Sequence, residues 1–202
     1  MSSANAFANN EQMITWTDLV PPPSETITLP PLNQYQVSLM YDIVAYQNAA
    51  QRRDMSEIET NKYNQNKTDF SETGANLEAL LRLRERAVTV ERERYSRLDD
   101  NMTFDEVTIG GFMVPLEMEG ITTKQFLLVP TAGACVHTPP PPISQIIVVD
   151  IEQGYDLVDL YQPIAVTGDI STAKQQLNVD YIDGNGDIEA GYVMTASNVR
   201  LY

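Results

Sequence analysis

The sequence is short of cysteine, histidine and basic residues, and each shortage excludes a class of function. A single cysteine rules out a disulfide within the chain. The 13 basic against 28 acidic residues give a net charge of −15. This balance argues against nucleic acid and anionic membrane surfaces, because binding to phosphates depends on lysine and arginine. No stretch approaches the roughly 20 apolar residues of a membrane helix, and a single histidine excludes many catalytic motifs.

The 202 residues suffice for one domain or for one domain with an appendage. Composition divides the chain into 1–32, a signal remnant with a proline-rich arm, 33–100, a helical segment, and 101–202, a β-barrel domain. Ala4, Ala6 and Ala8 are typical of the cleavage region that ends a secretory signal peptide. We therefore expect an exported, periplasmic protein, with a disordered tail or a cloning remnant as the alternative.

The first hundred residues predict an extended arm followed by helices. Five prolines in 16–32 favour an extended arm, which Trp16 and Leu19 would anchor. The spacing of Asn33 and Gln36 indicates a capping box that begins a helix over 34–52. We also predict a short helix near 56–63 and a long one over 77–98. The apolar stripe predicted for the long helix consists of Leu77, Leu81, Val88, Tyr95 and Leu98.

After residue 100 the pattern changes to β-strands. The segments are β-branched, apolar and bounded by Gly, Pro and Asp; they cover 107–117, 124–130, 144–151, 162–170, 177–183 and 191–202. We expect bulges at the glycines of TIGGF and VTGDI, which would let the sheet bend. Asn185–Gly186 favours a tight turn over a calcium loop, whose first and last ligand positions would both be tyrosine. The predicted fold class is α+β, with a small OB-like barrel after the arm and helices.

The only cysteine and the only histidine, Cys135 and His137, stand two residues apart. On an extended segment both side chains point to one side, and zinc or copper accepts such a pair of sulfur and nitrogen ligands. Glu117 and Glu119 are candidates for further ligands, as are Met113 and Met118 if the ion is Cu(I). Alternatives are a purely structural pair, a cysteine nucleophile with a histidine base, and a redox sensor.

Several runs resemble the bacterial domain-of-unknown-function 3299 family. They are WTDLVPPP, GGFMVPLE, FLLVP, GACVHTPPPPISQ, VTGDI and YVMTASNVRLY. The resemblance implies an exported protein of a Gram-negative bacterium, often encoded beside ABC-type transporters and in some cases in metal-responsive gene sets. It implies no reaction, and the positions that it carries over are Cys135, His137 and the prolines that follow.

Two hypotheses follow from these residues. In the first, an exported accessory protein binds zinc or copper through Cys135 and His137 and works with a membrane transporter. In the second, the chain is a non-catalytic interaction module of an ABC-type transporter system, and its Cys-x-His-Pro-rich edge is structural. Candidate binding residues are Trp16, Pro139, Pro140, Pro141 and Pro142. An enzyme is the least favoured alternative, and the chain is compatible with a homo-oligomer.

Overall fold

A computed structural model describes residues 12–133, 141–157, 159, 162–181 and 184–202. Within these residues the chain forms three α-helices and a six-stranded mixed sheet, so the α+β prediction is confirmed. The helices are α1 (Gln34–Ala50), α2 (Glu57–Glu72) and α3 (Leu77–Tyr95). The strands are β1 (Gln12–Ile14), β2 (Thr103–Pro115), β3 (Thr122–Val129), β4 (Ile147–Asp156), β5 (Pro163–Tyr181) and β6 (Gly184–Leu201). No helix in the described part is long and apolar enough to cross a membrane.

Residues 24–91 form one compact unit, and the described residues up to 23 and from 92 onward form another. The helical unit begins α1 with the predicted capping box. The Asn33 side chain accepts a hydrogen bond from the Gln36 N–H, and the Gln36 side chain accepts one from the Asn33 N–H, both at 2.9 Å. Two otherwise unpaired N–H donors are satisfied in this way, which explains why the helix begins at this point.

The helix predicted near 56–63 is twice as long as expected. α2 begins with its own capping box, in which Ser56 and Glu59 satisfy each other's backbone N–H groups. It continues to Glu72 because Phe70, on its last turns, is fully buried in a cluster with Leu39 and Ile43 of α1. One buried aromatic side chain thus stabilises a helix whose other residues are mostly polar.

The apolar stripe predicted for α3 is wrong in part. The structure buries Leu80 and Val90, whereas Val88 is 42% exposed. Leu80 joins the Phe70 cluster, so contact with the other helices, and not the stripe as a whole, decides which leucines are buried. The 2.6 Å ion pair between Glu78 and Arg82 lies on the exposed surface of the helix.

In the sheet, antiparallel pairs join β2 to β3, β3 to β4, β5 to β6 and β2 to β5, while β4 and β6 are parallel. The short β1 pairs in parallel with the first half of β2. The prediction of separate strands over 162–170 and 177–183 is wrong. They form the single strand β5, which pairs with β6 along almost its whole length and changes register between Thr172 and Gln175. This irregularity lies between the two segments that the sequence predicts as separate strands.

The turn predicted at Asn185–Gly186 is also wrong. Both residues lie in β6, opposite Asp180 and Val179, and the pairing continues as far as Tyr181 and Gly184. The register set by the long pairing of β5 with β6 continues through Asn185 and Gly186, so the Asn-Gly dipeptide is part of a strand.

Bulges are predicted at two glycine-containing runs, and the structure has a register shift at one of them. A register shift occurs at Gly168, as predicted, and a Cβ there would lie 2.1 Å from the Thr195 carbonyl oxygen. Gly110 and Gly111 pair regularly with Ala165 and Ile164, so the bulge predicted there is wrong. The irregularity of β2 lies between Phe104 and Val107 instead.

The proline-rich arm is anchored as expected. Leu19 is fully buried in the main cluster of the sheet, and Trp16 packs against the same cluster. The Tyr192 hydroxyl donates a hydrogen bond to the Leu19 carbonyl. The arm is therefore fixed to β6 by a buried polar contact as well as by apolar packing.

Candidate functional site

The structure places few of the predicted ligands together. Cys135, His137, Pro139 and Pro140 lie outside the described residues. Pro141 is half-buried, and the exposed Pro142 lines a cleft of about 480 Å³ together with Lys174 and Glu189, among others.

The candidate glutamates lie in the connection between β2 and β3. Glu117 and Glu119 are exposed, and the backbone of Glu119 forms an isolated bridge with Thr122. Met113 is buried in the main cluster, so it is unavailable as a ligand at the surface, whereas Met118 is exposed. Among the described residues, no three His, Cys, Asp or Glu side chains are grouped so that they could hold a metal ion.

Around Trp16 the structure forms an apolar groove of about 510 Å³, which we call the Trp16 groove. Its lining comes from five separate parts of the chain. The lining residues are Met13, Ile14, Thr15, Trp16, Gly110, Gly111, Phe112, Pro130, Pro163 and Tyr202. Apart from Trp16, sequence reasoning missed these residues as a site, because only folding brings the segments together.

Two aromatic side chains meet at Gly110 in this groove. The Trp16 indole N–H donates a hydrogen bond to the Gly110 carbonyl oxygen at 2.8 Å. The Tyr202 ring lies against the same residue, so that a Cβ at position 110 would be 2.7 Å from its Cε2 atom. The Tyr202 backbone N–H donates to the Pro163 carbonyl oxygen at 3.0 Å. The absence of a side chain at Gly110 therefore allows the aromatic ring to pack directly on the strand.

Among the residues that the structure describes, the lining of the groove has few groups capable of acid–base or nucleophilic chemistry. None of its ten lining residues is Asp, Glu, Lys, Arg, His or Cys. The Thr15 N–H and hydroxyl both donate to the Asp18 carboxylate at 2.7 Å. These two hydrogen bonds, that of the backbone first, lower the pKa of Asp18. Both donors of Thr15 are thus engaged by the neighbouring carboxylate.

A family model described as protein of unknown function, DUF3299, matches residues 16–201. The chain belongs to the DUF3299 family. The resemblance seen in the sequence motifs is thereby confirmed. A crystal structure of a DUF3299 protein from Pseudomonas aeruginosa is similar to this chain, with a TM-score of 0.49 and 23% identity over 95% of this chain and 96% of that chain. No curated protein matches the sequence.

Proposed function

We propose that this DUF3299 chain is a non-catalytic interaction module whose Trp16 groove binds an extended, proline-containing segment of a partner protein. The observation that carries the proposal is the aromatic pair at Gly110. Trp16 and Tyr202 flank a strand segment without side chains, and Met13, Phe112, Pro130 and Pro163 extend the apolar lining. The volume of about 510 Å³ lies within the range of protein binding pockets.

A proline-containing segment suits this lining for two physical reasons. Proline has no N–H donor, so it loses fewer hydrogen bonds to water than other residues when it enters an apolar groove. An extended proline-rich segment is also stiff before binding, which lowers the conformational entropy lost in the complex. Grooves lined by aromatic side chains are the usual partners of such segments.

The proposal includes the architecture and the cellular setting. The strands β2 to β6 would close into a small OB-like barrel, which the pairing of β2 with both β3 and β5 supports. The protein would be exported and would work with a subunit of a membrane transporter. The alanine-containing N-terminus and the family resemblance support this setting.

Intrinsic fluorescence provides a direct test, because Trp16 is the only tryptophan of the chain. A synthetic peptide of about ten prolines, roughly 30 Å long when extended, is titrated into the full-length protein. We expect a saturable change in Trp16 emission, and none with a Gly-Ser peptide of equal length. The absence of a saturable change with the proline peptide would contradict the proposal.

Variants assign the binding to the groove. In Gly110→Ala the new methyl group must displace the Tyr202 ring, and Tyr202→Ala removes that ring. We expect each to weaken peptide binding about tenfold or more, as at a contact that dominates the binding energy. Tyr41→Ala, in the helical unit, is the matched control because Tyr41 is also an exposed tyrosine. Equal weakening by Tyr41→Ala would refute the assignment.

A second candidate function is the binding of zinc or copper at Cys135 and His137. The only cysteine and the only histidine of the chain stand two residues apart and precede the prolines 139–142. In this proposal Cys135 supplies a thiolate and His137 an imidazole, and the exposed Glu117 and Glu119 are candidates for further ligands.

Elemental analysis by mass spectrometry tests the metal proposal on protein purified without chelator or a metal-affinity tag. We expect near-stoichiometric zinc or copper in the wild type and loss of the metal in Cys135→Ser and in His137→Ala. If no metal is retained after incubation with zinc and with Cu(I) under reducing conditions, the proposal is wrong. Both variants should still bind the proline peptide, so the two proposals can fail separately.

A further inference from the structure

The helix α1 has apolar side chains on two sides, and only one side is covered within the helical unit. Leu39 and Ile43 are buried in the cluster with Phe70 of α2 and Leu80 of α3. On another side, Val37 is 52% exposed and Tyr41 74% exposed. A helix that is apolar on two sides is typically in contact with a neighbour on each.

The exposed side of α1 lines a groove that also includes a residue of α3. Its volume is about 430 Å³. We call it the α1–α3 groove; its lining residues are Val37, Met40, Tyr41, Val44, Ala45, Asn48 and Arg84. Val88, one turn after Arg84 on the same side of α3, is 42% exposed and extends the apolar surface along the helix. The groove thus combines an apolar wall with one cationic side chain.

Arg84 differs from Arg82 and Arg86 on α3 in having no partner among the described residues. Arg82 pairs with Glu78 at 2.6 Å, and Arg86 pairs with Glu25. Arg84 is half-buried and makes no ion pair or hydrogen bond with any residue that the structure describes. α3 is also the only one of the three described helices with more basic than acidic residues. The charge available to a ligand in this groove is therefore positive.

We infer that the α1–α3 groove binds an amphipathic helix of a partner protein, one whose apolar stripe is flanked by acidic residues. The apolar stripe would cover Val37, Tyr41 and Val44, and a carboxylate at its edge would pair with Arg84. Helices of this kind bind in apolar grooves through side chains spaced three and four residues apart. This surface is separate from the Trp16 groove and does not depend on the function proposed for that groove.

The probe is a labelled peptide of about 18 residues, or five helical turns, with leucines on one face and glutamates beside them. Its counterpart carries lysine in place of each glutamate. Fluorescence anisotropy with the full-length protein should show binding of the glutamate peptide at micromolar concentrations. We expect the lysine peptide to bind at least tenfold more weakly, and binding of the glutamate peptide to weaken as salt is added.

Two variants and two matched controls test whether Tyr41 and Arg84 bind the peptide. Tyr41→Ala should weaken binding about tenfold, and Arg84→Gln about threefold, as expected for an exposed ion pair. The controls are Ile58→Ser, which alters an apolar residue that is 81% exposed elsewhere, and Arg82→Gln, which alters an arginine already paired with Glu78. Circular dichroism verifies that each variant retains its helices.

Three results would overturn the inference. The first is failure of the glutamate peptide to bind, or to bind better than the lysine peptide. The second is equal weakening by the control variants. The third is a dimer in sedimentation velocity that Tyr41→Ala dissociates, because the groove would then be occupied by a second copy of this chain.

Discussion

The buried hydrogen bond from Tyr192 to Leu19 allows a quantitative prediction about the stability of the sheet unit. Both side chains are fully buried, and the bond joins β6 to the proline-rich arm. Tyr192→Phe removes only the hydroxyl oxygen, so the Leu19 carbonyl loses this partner in an apolar environment. Leaving a buried acceptor without a partner costs about 2 kcal/mol, which corresponds to a fall in Tm of roughly 4–8 °C for a protein of this size.

The same hydroxyl makes the stability that Tyr192→Phe loses dependent on pH. Burial, together with the charge of Asp99, raises the pKa of Tyr192 to about 12. In the unfolded chain the phenol ionises at its ordinary pKa of about 10. The neutral hydroxyl therefore contributes its full stabilisation below pH 10, and this contribution is lost as the pH rises through 12. The difference in stability between wild type and Tyr192→Phe should shrink over this interval.

Urea denaturation followed by circular dichroism at several pH values measures this difference. The control is Tyr41→Phe, because Tyr41 is 74% exposed and its change should cost less than about 0.5 kcal/mol. If Tyr192→Phe is no less stable than Tyr41→Phe, or if the difference between wild type and Tyr192→Phe is constant from pH 8 to about 12, the reasoning is refuted.

Four further predictions test other parts of the fold. Gly168→Ala places a Cβ 2.1 Å from a backbone oxygen of β6. We expect the free energy of unfolding, measured by urea denaturation, to fall by about 3 kcal/mol or more. Phe70→Ala empties the centre of the helical cluster and should lower the free energy of unfolding by about 3–5 kcal/mol. The helical circular dichroism signal should then be lost at a lower temperature. Ser56→Ala removes the cap of α2 and should lower the free energy of unfolding by about 1 kcal/mol. Asparagine caps helices as well as serine does, so Ser56→Asn should lower it much less. Hydrogen bonds from Arg53 and then Ser56 lower the pKa of Glu59 from 4.5 to about 2. The stabilisation by ionised Glu59 is thus present above pH 4.5 and lost as the pH falls through 2, a dependence that Glu59→Gln should remove.

Features encoded by neighbouring residues were predictable from the sequence. The start of α1 depends on Asn33 and Gln36, three residues apart, and the structure has the expected capping box. The full length of α2 was not predictable, because it depends on Phe70, which contacts α1 and α3 only in the folded chain. In the same way, the place of Asn185 and Gly186 inside β6 follows from the long pairing with β5, which the Asn-Gly dipeptide alone does not indicate.

The candidate site likewise has a part that the sequence predicts and a part that it does not. The sequence marks Trp16 as an anchor because it is the only tryptophan and lies in a proline-rich arm. It gives no sign that Gly110 and Tyr202 lie beside Trp16, since they come from distant parts of the chain. The predicted pair of Cys135 and His137 stays a prediction, because both residues lie outside the described part of the chain.

The partnership of Leu19 with Tyr192 also determines the order in which a newly made chain can fold. The two residues are 173 positions apart, so the arm leaves the ribosome long before its partner strand exists. The helical unit, residues 24–91, is continuous in sequence and has its own buried cluster, so it can form while synthesis continues. The hydrogen bond between Tyr192 and the arm must await the synthesis of β6. Until then the Leu19 carbonyl lacks its Tyr192 partner, and the sheet unit stays incomplete for a chaperone or an export factor to recognise.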